Sequence, residues 1–194
     1  MAALDGIRDK RVTDEVICES CGKPHPVTEV ELTFKLPDDV YELSEADRES
    51  RCRMNSDIVI LDEKRFFVRG LVPLKMATRA RDYALGMWAE VSEDVFSRIY
   101  DLWDDPDQSQ EPRMPGALAN ALPFHPSTVG LAVTIQLTGT KSRPEFFLDP
   151  VEHSLFAEQS RGIDEHRAFE YSDRASRKDA VEQSLPGDAP KAHA

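Results

Sequence analysis

Asp57-Ile58-Val59-Ile60-Leu61-Asp62-Glu63-Lys64-Arg65-Phe66-Phe67-Val68-Arg69-Gly70-Leu71 is the stretch that decides the fold. Asp57 to Leu61 is a short strand built on Ile58, Val59, Ile60 and Leu61, Asp62-Glu63-Lys64 is a polar turn, and Arg65 to Leu71 returns. Apolar runs of this length, bounded by turn residues, read as strands. So short a connection makes the two antiparallel neighbours, because a parallel return needs a crossover of about a dozen residues or more. Pro73 should end the second strand or sit at an edge, since proline donates no ladder hydrogen bond.

The same pattern continues on both sides. Tyr83 to Val91 reads as a further strand, with Gly86 a candidate bulge. Ser92-Glu93-Asp94 signals a helix N-terminus, and Val95, Phe96, Ile99, Leu102 and Trp103 recur at helical spacing behind it. A helix is predicted over 93–103. Asp104 to Pro115 reads as a solvated acidic loop, and 116–122 fits either a helical turn or an extended stretch. Val129, Leu131, Val133, Ile135 and Leu137 alternate with small or polar residues, the cleanest strand pattern in the chain. Glu145 to Leu148 should pair back on it after a turn over 139–144. Helices follow over Ser154 to Ser160 and again from Asp164, separated by Gly162. Upstream, Val30, Leu32, Phe34 and Leu36 predict a strand over Val27 to Leu36, and Ser44 to Asp47 forms a capping box for a short helix reaching about Arg53.

Together these give an α+β class: a mostly antiparallel sheet of hairpins, one central amphipathic helix and C-terminal helices. Residues 1–14 and 175–194 lack an apolar period and are expected to be tails around one domain, 15–174. The chain has 194 residues, enough for one core.

Charge narrows the partners. A net charge of −12 repels nucleic-acid phosphates and anionic membranes. No run of about 18 apolar residues offers a membrane span. The polar start lacks a signal-peptide core, and three cysteines do not make a disulfide framework, so a cytoplasmic location is expected.

The chemically pointed stretch is Cys18-Glu19-Ser20-Cys21-Gly22-Lys23-Pro24-His25. A Cys-x-x-Cys-Gly turn aims two thiolates at one point, which suits zinc. Tetrahedral zinc needs four ligands, and a second such pair is missing. His25 and His153 are the reasonable completions, with Cys52 and His125 behind them. The competing reading is a pair of reduced, partly buried thiols. A redox dithiol is disfavoured, because Pro24 argues against the helix such cysteines open. His153 precedes a predicted helix, and capping or packing is its plainer role.

Three other features have bland readings. Arg69, in an apolar strand, should pair with Asp57, Asp62 or Glu90 rather than bind an anion. Trp88 and Trp103 should pack in the core. Asp104, Asp105, Asp107 and Glu111 lack the spacing of a calcium loop. No phosphate loop, nucleophile elbow or His-Glu-x-x-His motif occurs, and nothing in the sequence brings serine, histidine and acid together.

The chain also resembles a bacterial family, domain of unknown function 2199. The resemblance rests on Cys18-x-x-Cys21-Gly22-Lys23-x-His25, on Asn55-Ser56-Asp57, and on Ile60-x-Asp62-x-x-x-Phe66-Phe67-x-Arg69-Gly70. It continues through Trp88-x-Glu90-Val91-Ser92-Glu93, Leu102-Trp103-Asp104 and Leu118-Ala119-Asn120-Ala121-Leu122-Pro123. It ends on Leu148-Asp149-Pro150-x-x-His153-x-Leu155 and Glu158-Gln159-x-x-Gly162-Ile163. It covers about Cys18 to Phe169 and implies no activity. The family tends to have Gly-Tyr-Pro where this chain has Phe124-His125-Pro126, and Cys52 has no counterpart, which argues against a shared role for His125 or Cys52.

The expectation is therefore a non-enzymatic protein-interaction module in which Cys18, Cys21, His25 and His153 could hold structural zinc. The alternatives are a metal- or thiol-dependent enzyme using Cys18 and Cys21, and an acidic regulatory or immunity-type binder of a basic partner.

Overall fold

The computed structural model describes residues 15–17, 24–26, 31–78 and 80–183. β1 (Glu15–Ile17) and β2 (Pro24–Pro26) form a separate antiparallel pair, and β2 packs against the last helix. The main sheet comprises β3 (Cys52–Met54), β4 (Ile58–Leu61), β5 (Arg65–Leu74), β6 (Tyr83–Val91), β7 (Met114–Leu118), β8 (Ala132–Gln136) and β9 (Glu145–Leu148). These seven strands pair in chain order, each antiparallel to the next.

The sheet then closes on itself. Leu71 of β5 faces Glu145 of β9 in parallel, and the Leu71 amide donates to the Pro144 carbonyl at 2.9 Å. Strands β5 to β9 thus make a small barrel, with β3 and β4 continuing outward from β5. Closure needs close backbone approach. A Cβ on Gly70 would lie 2.4 Å from the Phe146 ring and 2.7 Å from the Pro144 carbonyl oxygen, so only glycine fits. Val68, Val72, Leu85, Met87, Ile135 and Phe146 are fully buried in the core.

The apolar runs over 57–61 and 65–71 and the spacing over 83–91 predict their strands correctly. β5 runs through Pro73 to Leu74, and Pro73 keeps its register opposite Ala84. Gly86 is not a bulge, because β5 and β6 stay in one register from Phe66–Val91 to Leu74–Tyr83. It makes room for a crossing chain: a Cβ there would meet Thr33 Oγ1 at 2.4 Å. Over the described part of the predicted strand 27–36 there is a single parallel bridge, Thr33 to Gly86. The alternation holds, since Leu32 and Phe34 are buried while Thr33 and Lys35 are exposed.

Helices cover the barrel. α1 (Asp38–Tyr41) is short. α2 (Glu45–Arg51) starts at Ser44, whose Oγ accepts from the Asp47 amide. α3 (Glu93–Asp101) starts at Ser92, whose Oγ accepts from the Val95 amide, and it buries Phe96 and Ile99. α4 (Ser154–Arg161) ends at Gly162, and α5 (Glu165–Gln183) follows Asp164, which accepts from the Arg167 amide at 2.8 Å. The helix thus runs past Arg174, so the tail expected from residue 175 begins as helix; the expected 1–14 tail lies outside the described residues.

Two amide side chains join the layers. Buried Asn120 accepts from the Trp88 amide at 2.9 Å and donates to the Leu36 carbonyl and to Asp38, which fastens 36–38 over β6. Gln159 accepts from the Leu148 amide at 2.7 Å and donates to the Phe146 carbonyl at 2.8 Å, which seats α4 on β9.

Candidate functional site

Two parts of the molecule carry unusual chemistry: a polar network where α4 and α5 meet the 124–126 turn, and the acidic end of α3. The network forms around His125. Phe124 holds φ +71°, a conformation that bulky residues rarely adopt. Its ring lies over the Arg167 guanidinium, centroid 5.2 Å away, and 6.1 Å from the Tyr171 ring. This backbone turn sends the next side chain inward, and the His125 ring has no solvent exposure.

Each ring nitrogen of His125 has a partner. Nδ1 lies 2.6 Å from Ser154 Oγ at the start of α4, and Nε2 lies 2.6 Å from the Tyr171 hydroxyl on α5. Tyr171 donates to Glu158 Oε2 at 2.6 Å, and Arg167 Nε donates to Glu158 Oε1 at 2.7 Å. Arg167 also pairs with Glu170 at 2.9 Å. Burial pushes the Glu158 carboxyl up, but hydrogen bonds from His125 and Tyr171 and the Arg167 charge outweigh it, so its pKa falls below the ordinary value. Burial, then the bond to Glu158 and its charge, push the Tyr171 phenol well up. Glu158 is thus an anion and Tyr171 a neutral donor.

His153 stacks on His125 with centroids 5.9 Å apart. Its Nδ1 accepts from the Leu155 amide at 3.1 Å and its Nε2 faces the Pro126 carbonyl at 3.3 Å. That is the capping role weighed against metal binding, and acting as a ligand would cost α4 this cap. Cys18 and Cys21 lie outside the described residues. His25 sits in β2, opposite Val16. Cys52 is half-buried, and burial raises its thiol pKa. Among the described residues no three His, Cys, Asp or Glu side chains gather as a metal cage.

Arg69 does not form the ion pair expected of it. Asp57 pairs with Arg143, Asp62 with Arg51 and Glu90 with Arg65. Arg69 donates instead to the Ser56 carbonyl at 3.2 Å and lies over Trp88, while its buried Nε has no hydrogen-bond partner.

The two tryptophans separate. Trp88 is fully buried, as expected, and donates from Nε1 to the Phe34 carbonyl at 3.2 Å. Trp103 is 36% exposed and Tyr100, one turn before it, is 61% exposed, so core packing is the wrong reading for Trp103. Asp101, Asp104 and Asp105 surround these rings in sequence at the C-terminal end of α3. The local cation, Arg98, is taken by Glu111 through two bonds of 2.8 and 2.9 Å. Asp101 and Asp104 accept no hydrogen bond among the described residues.

The family model described as an uncharacterized protein conserved in bacteria, domain of unknown function 2199, matches residues 17–163. The chain belongs to this family. No curated protein and no solved structure matches it. The domain of unknown function 2199 thus takes in Cys18 to His25, the end of α3, His125, His153 and Glu158. Arg167, Glu170 and Tyr171 lie beyond the matched residues, so the His125 network joins the family domain to α5.

The sequence reading missed Ser154, Arg167 and Tyr171 and set His125 aside. Glu158 and Arg167 on successive helices, with Tyr171 one turn further, were the available signal. What seats His125 among them is the Phe124 backbone, and no spacing rule encodes it. No helix is long and apolar enough to cross a membrane among the described residues.

Proposed function

We propose that this domain works in the cytoplasm as a protein-interaction module whose α3 face takes a basic segment of a partner protein. The observation that carries the reading is the pairing of exposed Tyr100 and Trp103 with Asp101, Asp104 and Asp105. Acids at a helix C-terminus oppose the macrodipole, at about 0.3–1 kcal/mol each. Among the described residues no hydrogen bond offsets that cost at Asp101 or Asp104, although Asp101 is attracted by the Arg98 charge. A cationic partner would offset it, and the two rings supply the apolar anchors and cation–π faces that arginine and lysine favour. The net charge of −12 steers such a partner from a distance.

Fluorescence tests this directly. The chain has two tryptophans, and Trp88 is sealed in the core, so a surface ligand reports through Trp103. Titration with an octa-lysine peptide at low salt should give a saturable change that weakens as salt rises and is absent in Trp103→Phe. A flat titration in the wild-type protein would contradict the proposal.

Structural zinc on Cys18, Cys21 and His25 is proposed as the device that orders the N-terminal segment. Its support is the Cys-x-x-Cys-Gly spacing and the antiparallel pairing of Ile17 with Pro24, between which both cysteines fall in sequence. Metal content of the purified protein is its test.

A further inference from the structure

The His125 network has a direction, and the direction points to chemistry. Glu158 is ionised, so the single Tyr171 hydroxyl proton goes to Glu158 Oε2, 2.6 Å away. The Tyr171 oxygen then faces His125 Nε2 at 2.6 Å with lone pairs only, so Nε2 must carry the proton in that contact. Arg167 NH2 is also 3.2 Å from Nε2, but the shorter contact decides the tautomer. In that tautomer the Nδ1 lone pair faces Ser154 Oγ, 2.6 Å away, and the serine donates. Ser154 is exposed while the imidazole behind it is closed to solvent. The serine opens onto a groove of about 550 Å³ lined by Val151, His153, Phe156, Ala157, Ser160 and Arg161.

We infer that Ser154 is a nucleophile, with His125 as its general base and Tyr171, Glu158 and Arg167 as positioning residues, acting on carboxylic esters. A buried base within hydrogen-bond reach of an exposed hydroxyl, itself oriented by a third group, is the geometry that nucleophilic catalysis requires. The order of ring nitrogens is reversed from the serine-protease triad, with Nδ1 toward serine and Nε2 toward the acid. Either nitrogen can accept a proton. The strained Phe124 backbone that seats His125 is an independent mark of a site, since such conformers persist where surrounding structure enforces them.

The reaction balances within these groups and water. Ser154 Oγ forms a bond to the ester carbonyl carbon as its proton passes to His125 Nδ1. The tetrahedral oxyanion collapses, the bond to the alkoxide breaks, and the alkoxide takes the proton from Nδ1. A water then attacks the acyl carbon, gives its proton to Nδ1, and the acid leaves as Ser154 Oγ recovers that proton. While His125 is an imidazolium, the Glu158 carboxylate 3.5 Å from Nε2 balances its charge.

Diisopropyl fluorophosphate tests the nucleophile without a known substrate. Ser154 Oγ would form the phosphorus–oxygen bond, fluoride would leave, and His125 would take the proton. Intact mass and peptide mapping of the folded full chain should find one adduct, on Ser154. The adduct should be absent in Ser154→Ala and after unfolding in urea. His125→Gln should slow labelling by roughly 100-fold, the usual worth of a general base. Tyr171→Phe, which keeps the ring packing, should slow it by about tenfold without moving the adduct, the low end of what losing a group that orients a histidine costs. No adduct on native protein, labelling as fast in urea, or equal labelling of Ser160 in the same groove would overturn the inference. If His125→Gln does not fold, the native, urea and Tyr171→Phe rates still decide it.

Discussion

At the scale of single residues, the largest electrostatic commitments lie where α4 and α5 meet. Glu158 has a folded pKa below its ordinary value of 4.5. Its contribution to stability is therefore full above about that pH and is lost as pH falls through the lower folded value. Tyr171 is shifted the other way from 10.0, so its contribution is full below that pH and is lost as pH rises toward the higher folded value. Stability from this pair should form a plateau between the two. Urea midpoints measured from pH 3 to 8 should show wild-type protein losing more stability on acidification than Glu158→Gln. Parallel curves would remove the shift. Arg69 shows what residue-level reading cannot reach. The expectation of an ion pair was sound in kind, because charges in sheets seek partners. Each carboxylate in range, however, is committed to another arginine, and that allocation is fixed by side-chain reach across strands rather than by order along the chain.

Among elements, those with a local cause were legible. Serine caps placed α2 and α3, and Gly162 and Asp164 placed the break between α4 and α5. Apolar runs bounded by turn residues placed β4 and β5, and apolar residues spaced two or four apart placed β6, which is buried on both faces from Leu85 to Ala89. β8 starts three residues late for a local reason. Gly130 at φ +84° puts 129–130 in a turn, so Val129 is exposed although the alternation beyond it holds. β7 was ambiguous because Met114-Pro115-Gly116-Ala117-Leu118 has neither helical nor alternating apolar period. It is a strand because β6 and β8 flank it. The hairpin of β1 and β2 carries its own prediction. With Cys18 and Cys21 between its two strands in sequence, protein purified without a histidine tag should hold about one zinc per chain, the content of a single closed site. Chelation should lower the thermal midpoint. Zinc below a tenth of an equivalent would remove the structural-metal proposal, whatever the fate of the α3 face.

For the whole molecule, an α+β class with mostly antiparallel pairing followed from the chain, but closure did not. The parallel contact of β5 with β9 brings together residues far apart in sequence, and it depends on Gly70 leaving space for Phe146. Such a pairing follows from sheet twist and curvature accumulated over five strands, which no window of sequence reports. The same closure sets α3 and its acidic end on the outside of the barrel, and the central functional claim belongs at this scale. If the protein's overall charge alone attracted a basic partner, any three acids would serve. If the α3 face is the site, position matters. The deciding measurement compares two variants of equal net charge, Asp101→Asn/Asp104→Asn/Asp105→Asn and Glu42→Gln/Glu45→Gln/Glu49→Gln, in the octa-lysine titration read by Trp103. Three exposed ion pairs at about 0.5 kcal/mol each amount to roughly a tenfold change in Kd. The account predicts that loss for the α3 variant and less than about threefold for the Glu42/Glu45/Glu49 variant, whose charges lie on other elements and act only through the screened overall charge. Equal weakening of both would contradict it.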